Sequence, residues 1–68
     1  MNDDTMNTEI RHFLKKVGIQ SHRAIESAIH EAITNGKLKG DEHINAVMQL
    51  KIEDLDLNLQ IKGNIGLE

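Results

Sequence analysis

The sequence predicts a small α+β protein in which two N-terminal helices pack on one face of a C-terminal antiparallel β-hairpin. Two observations carry this prediction. Up to residue 36 the apolar residues recur every three or four positions, as in amphipathic helices. From residue 44 onward they alternate with polar residues, as in half-buried strands. These elements fill all 68 residues, so we expect one domain over 1–68.

The first helix is predicted over about residues 4–17. Its apolar positions fall on one face at helical spacing: Met6, Ile10, Phe13, Leu14 and Val17. Asp3, Asp4 and Thr5 offer N-cap side chains at its start. Gly18 follows the last apolar position and predicts the end of the helix.

The second helix is predicted over about residues 21–35, with Ser21 as its N-cap. The apolar positions again follow the amphipathic pattern: Ile25, Ala28, Ile29, Ala32 and Ile33. Asn35 and Gly36 are a strong stop signal. The polar residues 36–43 are expected to link this helix to the hairpin.

The hairpin is predicted from two runs of alternating residues, at about 43–52 and 57–67. We prefer a four-residue loop at 53–56 over a two-residue loop, because Glu53 and Asp54 lack the glycine or asparagine that a tight turn requires. This loop pairs Ile52 with Leu57 and extends to Ile44 opposite Ile65. Gly63 is expected to mark a bend or bulge. The terminal pair Leu67-Glu68 continues the alternation but is also typical of a cloning remnant.

Composition excludes several classes of protein. Phe13 is the only aromatic residue, so the core must be aliphatic, and there is no cysteine for a disulfide or thiolate metal site. A chain this short has little surface left for a deep pocket, and no nucleophile or phosphate-loop motif is present. We therefore expect neither an enzyme nor a bound cofactor. The absence of a long apolar run and the polar N-terminus predict a cytoplasmic protein rather than a membrane protein.

The order of these segments resembles a family of small uncharacterised bacterial proteins of about 70 residues. The resemblance rests on Val17-Gly18-Ile19-Gln20-Ser21 between two helices, on the segment 35–42, and on a strand pair ending Ile65-Gly66-Leu67-Glu68. It implies the two-helix and hairpin layout and a bacterial source. It implies no catalytic residues.

Charge is distributed unevenly along this acidic chain of net charge −3. Cations gather between residues 10 and 23 and again between 36 and 40. They are usually a solvated face, but they are also the candidate nucleic-acid contacts: Arg11, Lys15, Lys16, His22, Arg23, Lys37 and Lys39. His22, Glu26 and His30 share one helix face, yet their spacing matches no metal motif, and we expect no metal site.

Two functions from different classes remain. The first is a non-catalytic interaction module that self-associates or binds a protein partner, because a two-stranded sheet has unprotected edges and a short chain often needs a partner to complete its core. The first strand is the less protected edge, and its outward residues are the candidate dimer contacts: Asn45, Val47, Gln49 and Lys51. The alternative is a nucleic-acid-binding domain of a reduced winged helix-turn-helix type.

Overall fold

The computed structural model describes residues 1–68, which form one helix and one β-hairpin. Helix α1 spans Asp3–Thr34. Strands β1 and β2 span His43–Ile52 and Leu57–Gly66, and a short 3₁₀ turn, Glu53–Leu55, lies between them. The chain divides into two compact units, Met1–Lys37 with the helix and Leu38–Glu68 with the hairpin.

The prediction of two helices is wrong, because α1 continues without a break through residues 18–21. Gly18 does not adopt the positive φ that a helix-ending glycine takes; only Gly36 and Gly40 do so among the glycines. A glycine inside a helix costs only about 0.5–1 kcal/mol relative to alanine. The chain has no proline, so every backbone donor in this stretch remains available to continue the helix.

The helix begins one residue before the predicted caps. The N-cap is Asn2, whose side-chain Oδ1 accepts a 3.1 Å hydrogen bond from the backbone N–H of Thr5. Asp3 and Asp4 occupy the first turn instead, where their negative charge favours the positive end of the helix dipole.

The predicted stop at Asn35-Gly36 is confirmed. Gly36 has φ +81°, and its N–H donates to the carbonyl of Ile33 at 3.1 Å, while the N–H of Lys37 donates to the carbonyl of Ala32 at 2.8 Å. This pair of bonds is a Schellman motif, which needs a left-handed residue at the position that Gly36 fills.

The predicted hairpin register is confirmed along its full length. Ile52 pairs with Leu57, and the pairing continues without interruption to Ile44 opposite Ile65. The expected bulge is absent, because Gly63 pairs directly with Ala46. Strand β2 ends one residue earlier than predicted, at Gly66.

The four-residue loop is also confirmed. Residues 53–55 form a 3₁₀ turn, and Asp56 follows in the left-handed region with φ 50°. The N–H of Asp56 donates to the carbonyl of Glu53 at 3.1 Å. Aspartate tolerates this conformation better than most residues, which explains how the loop closes without a glycine.

Neither unit by itself closes the aliphatic core expected from the sequence. No residue is buried, and 15 large hydrophobic side chains are exposed. Phe13 and Leu14 are each 52% exposed, and Ile61 is 54% exposed. Each unit, taken by itself, therefore presents one apolar face, formed by the periodic residues of the helix or of the hairpin.

Candidate interaction surfaces

The first open surface, here named the apolar helix face, runs along most of α1. Because the helix is continuous, the two predicted apolar stripes join into one face at a period of about 3.6 residues, apart from Ile33, which helical spacing places on the side of Lys15. Its members are Met6, Ile10, Phe13, Leu14, Val17, Ser21, Ala24, Ile25, Ala28, Ile29 and Ala32. Val17, Ser21, Ile29 and Ala32 are half-buried, and the other members are exposed.

The apolar helix face changes in side-chain size along its length. Its N-terminal half carries large residues, from Met6 to Val17, whereas its C-terminal half alternates isoleucine with the small residues Ser21, Ala24, Ala28 and Ala32. Positions on the face recur at a spacing of 11 residues, as in Met6, Val17 and Ala28. A spacing of 11 corresponds to about 3.67 residues per turn, close to the 3.6 of a straight helix.

The second open surface, the apolar hairpin face, consists of the alternate residues of both strands. The confirmed register places all of these side chains on one side of the sheet: Ile44, Ala46, Met48, Leu50, Ile52, Leu57, Leu59, Ile61 and Ile65. Leu59 is 46% exposed. A two-stranded sheet has no third strand or second layer of its own to cover such a face.

The opposite face of the hairpin is polar and carries the residues predicted as a dimer edge. The side chain of Gln49 donates to Asn58 Oδ1 at 3.1 Å, and that of Asn64 donates to Asn45 Oδ1 at 3.0 Å. Val47 stands between these amide pairs and is 61% exposed. These cross-strand bonds satisfy the side chains, while the outer backbone edge of β1 has no neighbouring strand.

Lys51, the last residue of that predicted edge, lies near the hairpin loop. Its Nζ is 3.8 Å from a carboxylate oxygen of Glu53, and both side chains are largely exposed. An exposed pair at this distance contributes little to stability. Lys51 therefore remains available as the charged residue that protects the β1 edge.

The predicted nucleic-acid contacts fall into two groups, of which the larger lies on α1. Lys15, Lys16 and Arg23 lie on the side of α1 opposite the apolar helix face, around a shallow open depression. His22 lies on the same side, beside Lys15 and Arg23, and Arg11 lies at the border of the two faces by helical spacing. Of these residues only His22 has a carboxylate partner within 4 Å.

The remaining two cations lie outside α1. Lys37 follows the end of α1, about 20 Å along the helix axis from Arg23 at about 1.5 Å per residue, and Lys39 belongs to the hairpin unit. The turn required by a helix-turn-helix is absent, because residues 18–21 are helical. The structure therefore lacks the pair of helices on which the predicted winged helix-turn-helix depends.

The side of α1 that carries His22, Glu26 and His30 shows one weak contact. The Nε2 atom of His22 lies 3.2 Å from a carboxylate oxygen of Glu26 in an exposed i,i+4 pair. No group of three histidine, aspartate or glutamate side chains is arranged to hold a metal ion.

The segment before β1 is held by Glu42, which the sequence reasoning missed. Its carboxylate accepts hydrogen bonds from the backbone N–H groups of Lys39 at 2.8 Å and Gly40 at 2.9 Å. These backbone hydrogen bonds, first that of Lys39 and then that of Gly40, lower the pKa of Glu42 below its usual value of 4.5. The carbonyl of Glu42 also accepts from the N–H of Leu67 at 2.9 Å, so Glu42 fixes the open end of the hairpin.

The comparison with protein families matches the whole chain, residues 1–68, to DUF6494, a family of unknown function. The chain belongs to this family. No curated protein and no solved structure matches it. The expected membership of a small family without assigned function is thus confirmed, while the two-helix layout implied by the resemblance does not hold for this DUF6494 chain.

No helix of this DUF6494 protein combines the length and apolar character needed to cross a bilayer.

The apolar helix face was recognised from the sequence only in part. Sequence reasoning found most of its apolar positions but assigned them to separate helices, and so missed that they form one surface. The signal was present in the unbroken spacing of Val17, Ser21, Ala24 and Ala28.

Proposed function

We propose that this protein is a small non-catalytic interaction module that self-associates or binds a protein partner. One observation carries the proposal: the chain buries no residue, although 38% of its residues are hydrophobic. Apolar surface that folding leaves open is the usual mark of a protein interface.

Stability considerations support the same function. A two-stranded hairpin by itself is marginally stable in water. Helices in proteins gain most of their stability from packing of an amphipathic face rather than from propensity. Each unit, taken by itself, therefore needs a covering surface. A second copy is the most economical source of one, since symmetric dimers are the commonest protein assemblies.

The test is the mass of the full chain in solution, measured by light scattering at micromolar and millimolar concentrations. We expect a mass of twice 7.7 kDa at the higher concentration, with helical circular dichroism retained. A mass of 7.7 kDa at both concentrations, with the helix intact, would contradict self-association.

The predicted edge of β1 is a second candidate surface for this association, and the substitution Val47→Lys examines it. If β1 of two copies pair, the added charge returns the protein to monomers. Lys62 is the partner of Val47 in the hairpin, so a second lysine there also adds like charge across the strands. Val47→Thr, which keeps the β-branched shape and the charge, is the matched control.

Nucleic-acid binding is the alternative function, and the unpaired cations of α1 favour it. Arg11, Lys15, Lys16 and Arg23 have no carboxylate within 4 Å, and no acidic residue occurs between residues 10 and 25. Against it stand the net charge of −3 and the absence of a helix-turn-helix. We expect no measurable binding of duplex DNA at physiological salt.

A fluorescence anisotropy titration with duplex DNA at low and physiological salt tests this alternative. A micromolar complex that weakens steeply with salt, and that the double substitution Lys15→Glu and Lys16→Glu abolishes, would establish the alternative. The matched control is the double substitution Lys37→Glu and Lys39→Glu, which changes the net charge by the same amount at positions outside the cations of α1.

A further inference from the structure

We propose that two copies of this chain pair through the apolar helix face, with their α1 helices antiparallel and residue i of one copy level with residue 38 − i of the other. The inference rests on the proposed function and identifies its partner and surface. Three properties of α1 lead to it: the change in side-chain size along the face, the order of charges, and the length of the face.

Side-chain size favours the antiparallel direction. In the stated register most large residues of one half meet small residues of the other: Met6 meets Ala32, Ile10 meets Ala28, Leu14 meets Ala24, and Val17 meets Ser21. Phe13 and Ile25 form the one level of the face at which two large side chains meet. Four of the five levels thus pair a larger with a smaller side chain, and the separation of packed helices depends on the side chains at the contact.

A parallel pair lacks this match. Large residues would face large ones in the N-terminal half, and alanines would face alanines in the C-terminal half. Helix separation depends on the side chains at the contact, so the two helices would have to splay or leave voids. Unfilled space between packed side chains is costly.

The order of charges along α1 also favours the antiparallel direction. Segment 1–9 carries a formal charge of −3, segment 10–23 carries +4 and segment 24–35 carries −2. A parallel pair places each segment level with its own copy, so segments of like charge are level throughout. In the antiparallel register segment 10–14, charge +1, is instead level with segment 24–28, charge −1, while the acidic segment 3–9, charge −3, is level with segment 29–35, charge −1.

Cations remain opposite cations only at the centre of the antiparallel pair, in segment 15–23. The side chains of Lys15, Lys16 and Arg23 do not meet in either direction, because they lie on the side of α1 away from the apolar helix face. Since fewer segments of like charge are level in the antiparallel pair, the charges favour it by a small margin.

The length of the face also points to a second copy of the helix. From Met6 to Ala32 the face is about 39 Å long, whereas a ten-residue strand spans about 33 Å. A second α1 is thus the one element of this protein that matches the face over its full length.

Pairing of β1 edges explains less of the structure. It would satisfy backbone groups along β1, but the four-stranded sheet so formed would still expose the apolar hairpin face. It would also make no use of the apolar helix face. We therefore assign the helix as the primary contact between copies.

Single cysteines test the register, because the protein has none of its own. Full-length Met6→Cys and full-length Ala32→Cys proteins are mixed and oxidised mildly, and disulfide-linked products are separated by mass. We expect the two variants to link to each other in high yield, since facing Cα atoms of a close helix pair reach disulfide distance. Met6→Cys alone gives little linked product, because position 6 of one copy is about 39 Å from position 6 of the other.

The matched control is the mixture of Thr8→Cys and His30→Cys. These positions are level with each other in the same register but lie on the opposite side of α1, so we expect little linked product. Light scattering of each variant before oxidation separates the two proposals. A dimer in which Met6→Cys links to itself, or in which neither helix mixture links, overturns the antiparallel helix contact and leaves self-association intact. Monomers overturn both.

Discussion

The substitutions Ile10→Ala and Ala28→Leu, made singly and together, are the sharpest test of the helix pair. Together they exchange a large and a small side chain at two facing positions. Ile10 is 46% exposed and Ala28 is exposed in the single chain, so each substitution alone changes the stability of an isolated helix by about 0.5 kcal/mol or less. In the antiparallel pair they face each other twice, once on each side of the two-fold axis. Every effect on association is therefore counted twice.

The expected magnitudes follow from packing. Ile10→Ala removes buried groups at a cost of about 2–5 kcal/mol per site in a well-packed environment. Ala28→Leu overfills the same site at about 1–3 kcal/mol. Even the lower bound, about 2 kcal/mol for two overfilled sites, weakens association about 30-fold at about 1.4 kcal/mol per tenfold change. The double variant restores one large and one small residue at each level, so we expect most of both losses to be recovered.

Sedimentation equilibrium of the four proteins gives the dissociation constants of this double-mutant cycle. We expect a coupling free energy of about 2 kcal/mol or more between the two substitutions. The matched control is the cycle Thr8→Ala and His30→Leu, at the same kind of facing level but on the opposite side of α1, with no coupling expected. Additivity of the Ile10 and Ala28 effects within about 0.5 kcal/mol would refute the proposed register.

Three further predictions concern the helix, the hairpin end and the β1 edge. Gly18→Ala should raise helical circular dichroism and stabilise the helix by about 0.5–1 kcal/mol, because no atom lies within 4 Å of the added Cβ; destabilisation would indicate a turn at Gly18. The lowered pKa of Glu42 means that its contribution to stability is present above its usual value of 4.5 and is lost as the pH falls through the lower folded value. NMR titration should show the amides of Lys39 and Gly40 shifting with a midpoint below 4.5, and Glu42→Gln should abolish that titration; a midpoint at or above the usual value would contradict the contact. Val47→Lys should leave the dimer mass unchanged if the helix is the primary contact, whereas dissociation would assign the interface to β1.

Local patterns predicted the hairpin well, because its determinants are close in sequence. Alternation determined which residues share a face, and the lack of glycine or asparagine at 53–54 selected the longer loop and so the full register. The same reasoning placed a bulge at Gly63, where the structure has none. A glycine in a strand permits a bulge but does not require one, and no local pattern distinguishes the two outcomes.

The helix was predicted less well at its centre than at its C-terminal end. Asn35-Gly36 ended it as predicted, since the Schellman motif depends on neighbouring residues and on the positive φ of Gly36. At Gly18 the same residue type has a helical conformation, because a penalty of about 1 kcal/mol is small beside the cost of interrupting a long helix. Whether a glycine ends a helix depends on the residues after it, and here Ser21 continues the apolar helix face.

The sequence predicted which residues belong to the candidate surfaces, but it did not predict how these residues are arranged in space. The cations of segment 10–23 were identified from sequence, yet their distribution around one helix depended on the continuity of α1. The apolar residues were chosen correctly by period, but sequence alone assigned them to an interior. Which surface covers an apolar face is a property of the assembly rather than of local sequence.

Whether association supplies the missing core is measured most directly by the thermal midpoint of the full chain over a wide range of protein concentrations. When folding and dimerisation are coupled, the midpoint depends on protein concentration. We predict that Tm rises with concentration and that loss of helical circular dichroism coincides with loss of the dimer mass on dilution. A cooperative transition with the same Tm at every concentration, at a mass of 7.7 kDa, would contradict a core completed by association.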